Sequence, residues 1–452
     1  MPLPIRSTKP SQSIYAPLGV KDLPFPTEPV ADPYSYDERR NGTIYAESPV
    51  RAKIEQFEQL LIRPNDFSNR VRLAYLWAKG DQQSGRGMGK TALLRYFRQR
   101  INKDWGNSEF SGQFSAVVVY IAFTEQIDRR HMEQLALSAL YDICNNGVLD
   151  ASRAVLRLEA LTEEQANVVL NNSDGRDEAE LLNDDALLQA KGIETASLDE
   201  KIARQLIREG VDEKAAIALA QGKFEQYLRS FRRDGNLKPF YVPRDTKILD
   251  YSRRILFDDM VKYLRAAGFA GGYLFIDDIE NLVDQMARKQ QIEFAKEFAI
   301  CTVRPGYANT AYNFFSCVLT THQQASVKLA QAWADAGLAA IARLDPASPN
   351  SVELPLPSKD QAREILVAHL DYYRTNPADK GTIKPFTEDG IEALLRNRQL
   401  PRIFLAAAAR VIQKAVSEGS TTVNAGLVNA ATTDSSASQS SFDFTEGIDS
   451  AL

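Results

Sequence analysis

Residues 84–91 read Ser-Gly-Arg-Gly-Met-Gly-Lys-Thr, between the apolar run Arg72-Leu-Ala-Tyr-Leu-Trp-Ala78 and a helix-forming stretch over 92–100. A strand, a glycine-rich turn ending in Gly-Lys-Thr, and a helix together form a phosphate cradle. Gly85, Gly87 and Gly89 let backbone N–H groups converge on an anion. The helix N-terminus adds its partial positive charge, and Lys90 is placed to reach the outer phosphates. The Thr91 hydroxyl would then go to Mg²⁺. Ser84 occupies the first position of the Gly-x4-Gly-Lys-Thr spacing, where the pattern has glycine.

A second chemical cluster is Gly271-Gly-Tyr-Leu-Phe-Ile-Asp-Asp-Ile-Glu280. Its apolar residues describe a buried strand, and two carboxylates emerge at the strand's C-terminal end. Open α/β sheets bind ligands at that edge. By spacing, Asp277 is the carboxylate on the metal side, holding Mg²⁺ through its water shell. Either Asp278 or Glu280 would orient or deprotonate the attacking water.

The elements that must position these groups follow from hydrophobic period. Residues 1–48 are rich in Pro, Ser and Tyr without a helical period, and read as an extended N-terminal arm. A helix is expected from Ser48-Pro49 through Leu61, with proline at the first helical position. The β-branched run over 114–123 predicts a strand covered on both faces, with a helix over 131–145 behind it. Residues 148–240 are acidic and helical in pattern, near 161–171, 176–190, 197–209 and 212–233, and read as an insertion in the core. Strands then resume at 273–276 and 314–319, with helices over 255–267 and 322–339. Strands alternating with helices imply an α/β fold: a parallel sheet with helices on both faces. From 358 to 431 only helices are expected, at 358–373, 387–396, 401–418 and 424–430, forming a separate helical unit. Residues 432–452 are low in complexity and read as a disordered tail.

The composition is that of a globular protein: 452 residues, 44% hydrophobic and 25% charged, with a net charge of −5. That balance argues against a surface coated for nucleic acid, though a local basic patch such as Arg229, Arg232 and Arg233 is compatible with it. Cys144, Cys301 and Cys317 show neither pairing nor metal spacing, which suits a reducing compartment. There is no signal-like apolar core at the N-terminus and no run of membrane-spanning length, so a cytoplasmic protein without a membrane partner is expected.

With both clusters placed, the order of parts resembles the AAA+ ATPases, most closely the branch of origin-recognition/initiator proteins and STAND-type signalling ATPases. ATP-binding proteins of bacterial anti-phage systems such as BREX are related to that branch. The resemblance covers roughly 49–147 and 244–431 and implies a P-loop core (49–357) with a C-terminal helical lid (358–431). It implies a polar sensor at the end of the strand Asn313-Phe-Phe-Ser-Cys-Val-Leu-Thr-Thr-His322, where Thr320, Thr321 and His322 stand in place of the initiator-type Thr-Thr-Asn. It also implies an arginine offered to a neighbouring subunit's γ-phosphate, for which Arg343 is the candidate and Arg304 an alternative. Asn397-Arg-Gln-Leu-Pro-Arg402 resembles the start of a lid helix, from which Arg402 would reach the nucleotide.

The expected protein is therefore an ATP-binding, ATP-hydrolysing switch that uses ATP and Mg²⁺, forms a nucleotide-dependent homo-oligomer, and engages a protein partner of the same system or DNA. Anti-phage defence or DNA transactions are the settings the resemblance suggests. The alternative is a scaffold or adaptor of a STAND-like signalling complex that holds nucleotide without turning it over.

Overall fold

The computed structural model describes residues 13–27, 37–62, 71–78, 87–122, 131–171, 175–231, 251–279, 286–304, 314–396 and 400–436. Five strands form one parallel sheet: β1 (Leu73–Ala78), β2 (Ser115–Ala122), β3 (Phe269–Asp277), β4 (Phe315–Thr320) and β5 (Ser351–Leu354). Their order is β2-β3-β4-β1-β5. The four strands other than β5 are nearly continuous apolar runs because both faces are covered. The register pairs Ala122 with Asp277, Ile276 with Leu319 and Leu76 with Thr320, so four strand ends finish together on one edge.

Alternation divides the side chains between two faces. One face, including Leu76, Val118, Tyr120, Phe275 and Val318, packs on α1 (Arg51–Phe57) and α2 (Lys90–Asn102) through Phe57, Leu93, Leu94 and Phe97. The other face, including Tyr75, Val119, Leu274, Ile276 and Leu319, packs on α3 (His131–Asn145). The same apolar cluster continues into the helices of the insertion. These are α4 (Val148–Ala160), α5 (Glu163–Leu170), α6 (Glu178–Asn183), α7 (Asp185–Ala190), α8 (Thr195–Arg208), α9 (Glu213–Ala220) and α10 (Phe224–Ser230).

The insertion is cross-braced by two arginines of α4. Arg157, whose side chain is fully buried, donates to the Leu182 carbonyl at 3.0 Å, to Asp185 at 2.7 Å and to Asp199 at 2.8 Å. Arg153 donates to the Ala220 carbonyl at 2.8 Å. Helix α4 lies ahead of the helical pieces expected from the sequence. The stretch expected at 176–190 is broken at Asp184, which caps α7 through its side chain. The stretch expected at 212–233 is broken at Gly222, whose φ is +67°.

After the insertion, a π-turn at Ile255–Asp259 runs into α11 (Met260–Ala266) and leads to β3. Helix α12 (Arg288–Phe298), α13 (Gln323–Asp335) and α14 (Leu338–Ile341) complete that side. Gly337, at φ +71°, separates the last two where one continuous helix was expected.

Helices α15 (Lys359–Tyr373), α16 (Glu388–Leu395), α17 (Pro401–Ser417) and α18 (Ala425–Ser436) form a second apolar cluster. Residues of the N-terminal arm belong to it: Leu18, Val20, Leu23 and Phe25 are buried among Leu366, Leu370, Phe404 and Ile412. Val20 bridges Arg374, and the Lys21 N–H donates to the Tyr373 carbonyl at 2.8 Å. Farther along, Arg39 donates to the Leu23 carbonyl at 2.6 Å, and Tyr45 stacks on Tyr96 of α2 at 4.6 Å. Residues 13–27 and 37–47 thus include contacts to both the C-terminal helices and α2. Among the described residues no helix is long and apolar enough to cross a membrane.

Candidate phosphate-binding site

Helix α2 begins at Lys90 directly after Gly89, whose φ is +94°; Gly87 lies at φ +82°. Side-chain-bearing residues rarely adopt such angles, so glycine at both positions is required by the turn itself. Lys90 is 5% exposed at the helix N-terminus, and Thr91 is half-buried one position on. Ser84 and Gly85 lie outside the described residues, as does Glu280.

Three side chains form a hydrogen-bonded row across the sheet edge on the α2 side. The Thr320 hydroxyl donates to Asp277 Oδ1 at 2.7 Å, and Tyr120 donates its phenol to Asp277 Oδ2. The Asp278 N–H closes the arrangement, donating to Thr320 Oγ1 at 2.8 Å and to Asp277 Oδ1 at 3.1 Å. Asp277 is 1% exposed, so its carboxylate would be costly to bury without these donors. Burial, followed by the neighbouring carboxylate of Asp277, pushes the Tyr120 pKa well above the usual phenol range, which keeps the group a donor. Asp278 is half-buried with φ +54°, a left-handed backbone rare outside glycine. Strained positions of this kind cluster at functional sites.

The C-terminal helices reach the same turn. Arg402, in the first turn of α17 after Pro401, donates its backbone N–H to the Gly87 carbonyl at 3.3 Å, and its side chain is exposed. A Cβ at Gly87 would lie 3.0 Å from Cβ of Arg402.

The Thr-Thr-His segment divides its roles. Thr320 reaches Asp277, whereas the Thr321 N–H donates to the Leu76 carbonyl at 3.1 Å and its hydroxyl lies 3.4 Å from the His322 carbonyl oxygen. His322 caps α13, its Nδ1 accepting from the Ala325 N–H at 3.3 Å. Arg343, beyond α14, is 64% exposed in its side chain and pairs with Asp345 at 3.7 Å. Arg304 packs its guanidinium against the turn at Gly337, where an added Cβ would be 2.2 Å from Nη2.

Sequence reasoning missed Tyr120. Its position inside an apolar strand conceals it, and a buried phenol's need for a polar partner is the one available signal.

A magnesium nucleotide, were one bound, would find cations at Lys90 and Arg402 and the hard oxygens Mg²⁺ prefers at Thr91 and Asp277. Among the described residues no group of three or more His, Cys, Asp or Glu side chains gathers into a metal site. Mg²⁺ at nucleotide sites keeps waters and phosphate oxygens as most of its ligands and needs few from protein.

These features define an α/β protein with a five-stranded parallel sheet and a glycine turn that opens α2. In comparisons with known proteins the chain matches no family model, no curated protein and no solved structure.

Proposed function

We propose that the chain is an ATP-binding molecular switch of the AAA+ type. The observation that carries this reading is the contact between the glycine turn before Lys90 and the start of α17 at Arg402, in a sheet protein whose β3 and β4 end in the buried Asp277–Thr320 pair. Lys90 and Arg402 would hold the phosphates, Thr91 and Asp277 the Mg²⁺, and Asp278 or Glu280 would orient the attacking water. Bound Mg²⁺ would neutralise charge on the phosphates. The exposed Arg343 is suited to a neighbouring subunit, so nucleotide-dependent homo-oligomerisation belongs to the reading. Its output would be a change in engagement of a protein partner or DNA, in anti-phage defence or DNA transactions. Phosphate release measured beside sedimentation, with and without ATP and Mg²⁺, tests it. The reading expects assembly and turnover together; a monomer with no ATP-dependent change contradicts it.

One observation favours the second reading, a nucleotide-holding scaffold. Thr321 and His322 are occupied in backbone contacts, which leaves Thr320 as the polar group of that strand end beside Asp277. Assembly on ATP without phosphate release would select the scaffold.

A further inference from the structure

We infer that Tyr120 and Arg95 are positioning residues of the nucleotide site: Tyr120 fixes the Asp277 carboxylate for Mg²⁺, and Arg95 makes that contact depend on residues 37–47 being seated on α2. The inference rests on the nucleotide reading and adds to it a control element from the N-terminal segment.

Asp277 holds each of its oxygens by a different strand. Oδ1 is taken by Thr320 of β4 and the Asp278 N–H, and Oδ2 by Tyr120 of β2. The carboxylate plane is therefore set by donors on both sides, and with two donors on Oδ1 and one on Oδ2 a single acceptor position, on Oδ2, is left. Removing the phenol releases one end, and a buried carboxylate with a freed oxygen turns to find another donor. The ring that carries this hydroxyl is itself held from behind. The Arg95 guanidinium lies over it, 5.4 Å from the centroid.

Arg95 is 1% exposed, and its Nη1 donates to the Arg40 carbonyl of the N-terminal segment. Its Nε and Nη2 have no hydrogen-bond partner among the described residues. A buried cation with so little holding it depends on the contacts it does make: the Tyr120 ring and the Arg40 carbonyl. The seat of that segment is tight. At Gly42, φ is +94° and an added Cβ would lie 2.6 Å from the Arg95 carbonyl carbon. Displacing residues 37–47 would remove the Arg40 carbonyl, free the guanidinium and loosen Tyr120 against Asp277. A coupling path of this kind needs only packed contacts with two arrangements.

The test uses the full chain, a fluorescent ATP analogue, and Tyr120→Phe and Gly42→Ala variants. Two quantities are read: affinity for the analogue in EDTA, and the Mg²⁺ concentration that half-maximally tightens binding. Tyr120→Phe should leave the EDTA affinity unchanged and raise the Mg²⁺ midpoint about tenfold, as loss of a charge-assisted hydrogen bond does. Gly42→Ala should move the midpoint the same way by a few-fold, although Gly42 lies in neither the turn nor the strand ends. A parent-like midpoint in Tyr120→Phe overturns the positioning role, and so does a collapse of its melting temperature, which would make the hydroxyl a stability element. A parent-like midpoint in Gly42→Ala overturns the link to residues 37–47. If the parent chain itself binds no analogue in either buffer, the nucleotide reading fails, and the inference with it.

Discussion

The Arg402 backbone N–H donates to the Gly87 carbonyl at 3.3 Å, and the two residues approach so closely that a Cβ at Gly87 would lie 3.0 Å from Cβ of Arg402. The glycine turn and the first turn of α17 are thus one contact, although 315 positions separate them in the chain. Gly87→Ala strains a backbone at φ +82° and presses on α17 at the same point. ATP affinity by calorimetry should fall about tenfold, while the melting temperature moves by only a few degrees. Parent-like affinity would mean the contact has no part in nucleotide binding.

Thr320 and Thr321 are adjacent and both buried, yet only Thr320 donates to Asp277. Thr320→Val should cut phosphate release at least tenfold and leave ATP binding in EDTA intact. Thr321→Val should change turnover less than two-fold, since its hydroxyl makes one long contact. Equal effects in the two variants would erase the distinction.

His369 of α15 is buried against the N-terminal segment, its Nδ1 3.2 Å from the Pro24 carbonyl oxygen. Burial pushes its pKa down to about 4, against 6.5 for an ordinary histidine, with Arg39 lowering it further and the Pro24 carbonyl and Asp37 opposing. The unfolded chain therefore takes up this proton at a higher pH than the folded one. The resulting stability is present above pH 6.5 and is lost as pH falls toward 4, by roughly 3 kcal/mol in total. Melting curves from pH 7.5 to 4.5 should fall less steeply for His369→Leu than for the parent; parallel curves would contradict the assignment.

Asp199 is one of two carboxylates holding the buried Arg157, and the other, Asp185, is half-exposed. Asp199→Ala leaves a buried cation short of charge and should cost about 3–5 kcal/mol in urea unfolding. Arg157→Met removes the charge together with its need for partners, so it should cost less. The reverse order would mean that packing by the arginine stem outweighs its charge.

Much of this was legible from residue order. Strand, glycine turn and helix were marked by period and by Gly87, Gly89 and Lys90, and Asp277 by its place at the end of an apolar run. The packing of residues 16–25 was hidden, because Leu18, Val20, Leu23 and Phe25 follow no helical or strand period in a proline-rich segment. Tyr120 was hidden because its partner is supplied by a neighbouring strand, and register is a property of the sheet. The choice between Thr320 and Thr321 had the same cause. Alternation puts Thr320 on the face of Val318, but only the assembled sheet shows that Asp277 and α2 occupy that face.

The central claim is that the turn at 87–91 binds the phosphates of ATP, and calorimetric titration of the parent chain and Lys90→Ala with Mg²⁺-ATP tests it most directly. The account predicts saturable binding by the parent and loss of detectable binding in Lys90→Ala, with the melting temperature of the apo protein unchanged within a few degrees. Equal ATP affinity in the two proteins, or no binding by the parent, would contradict it.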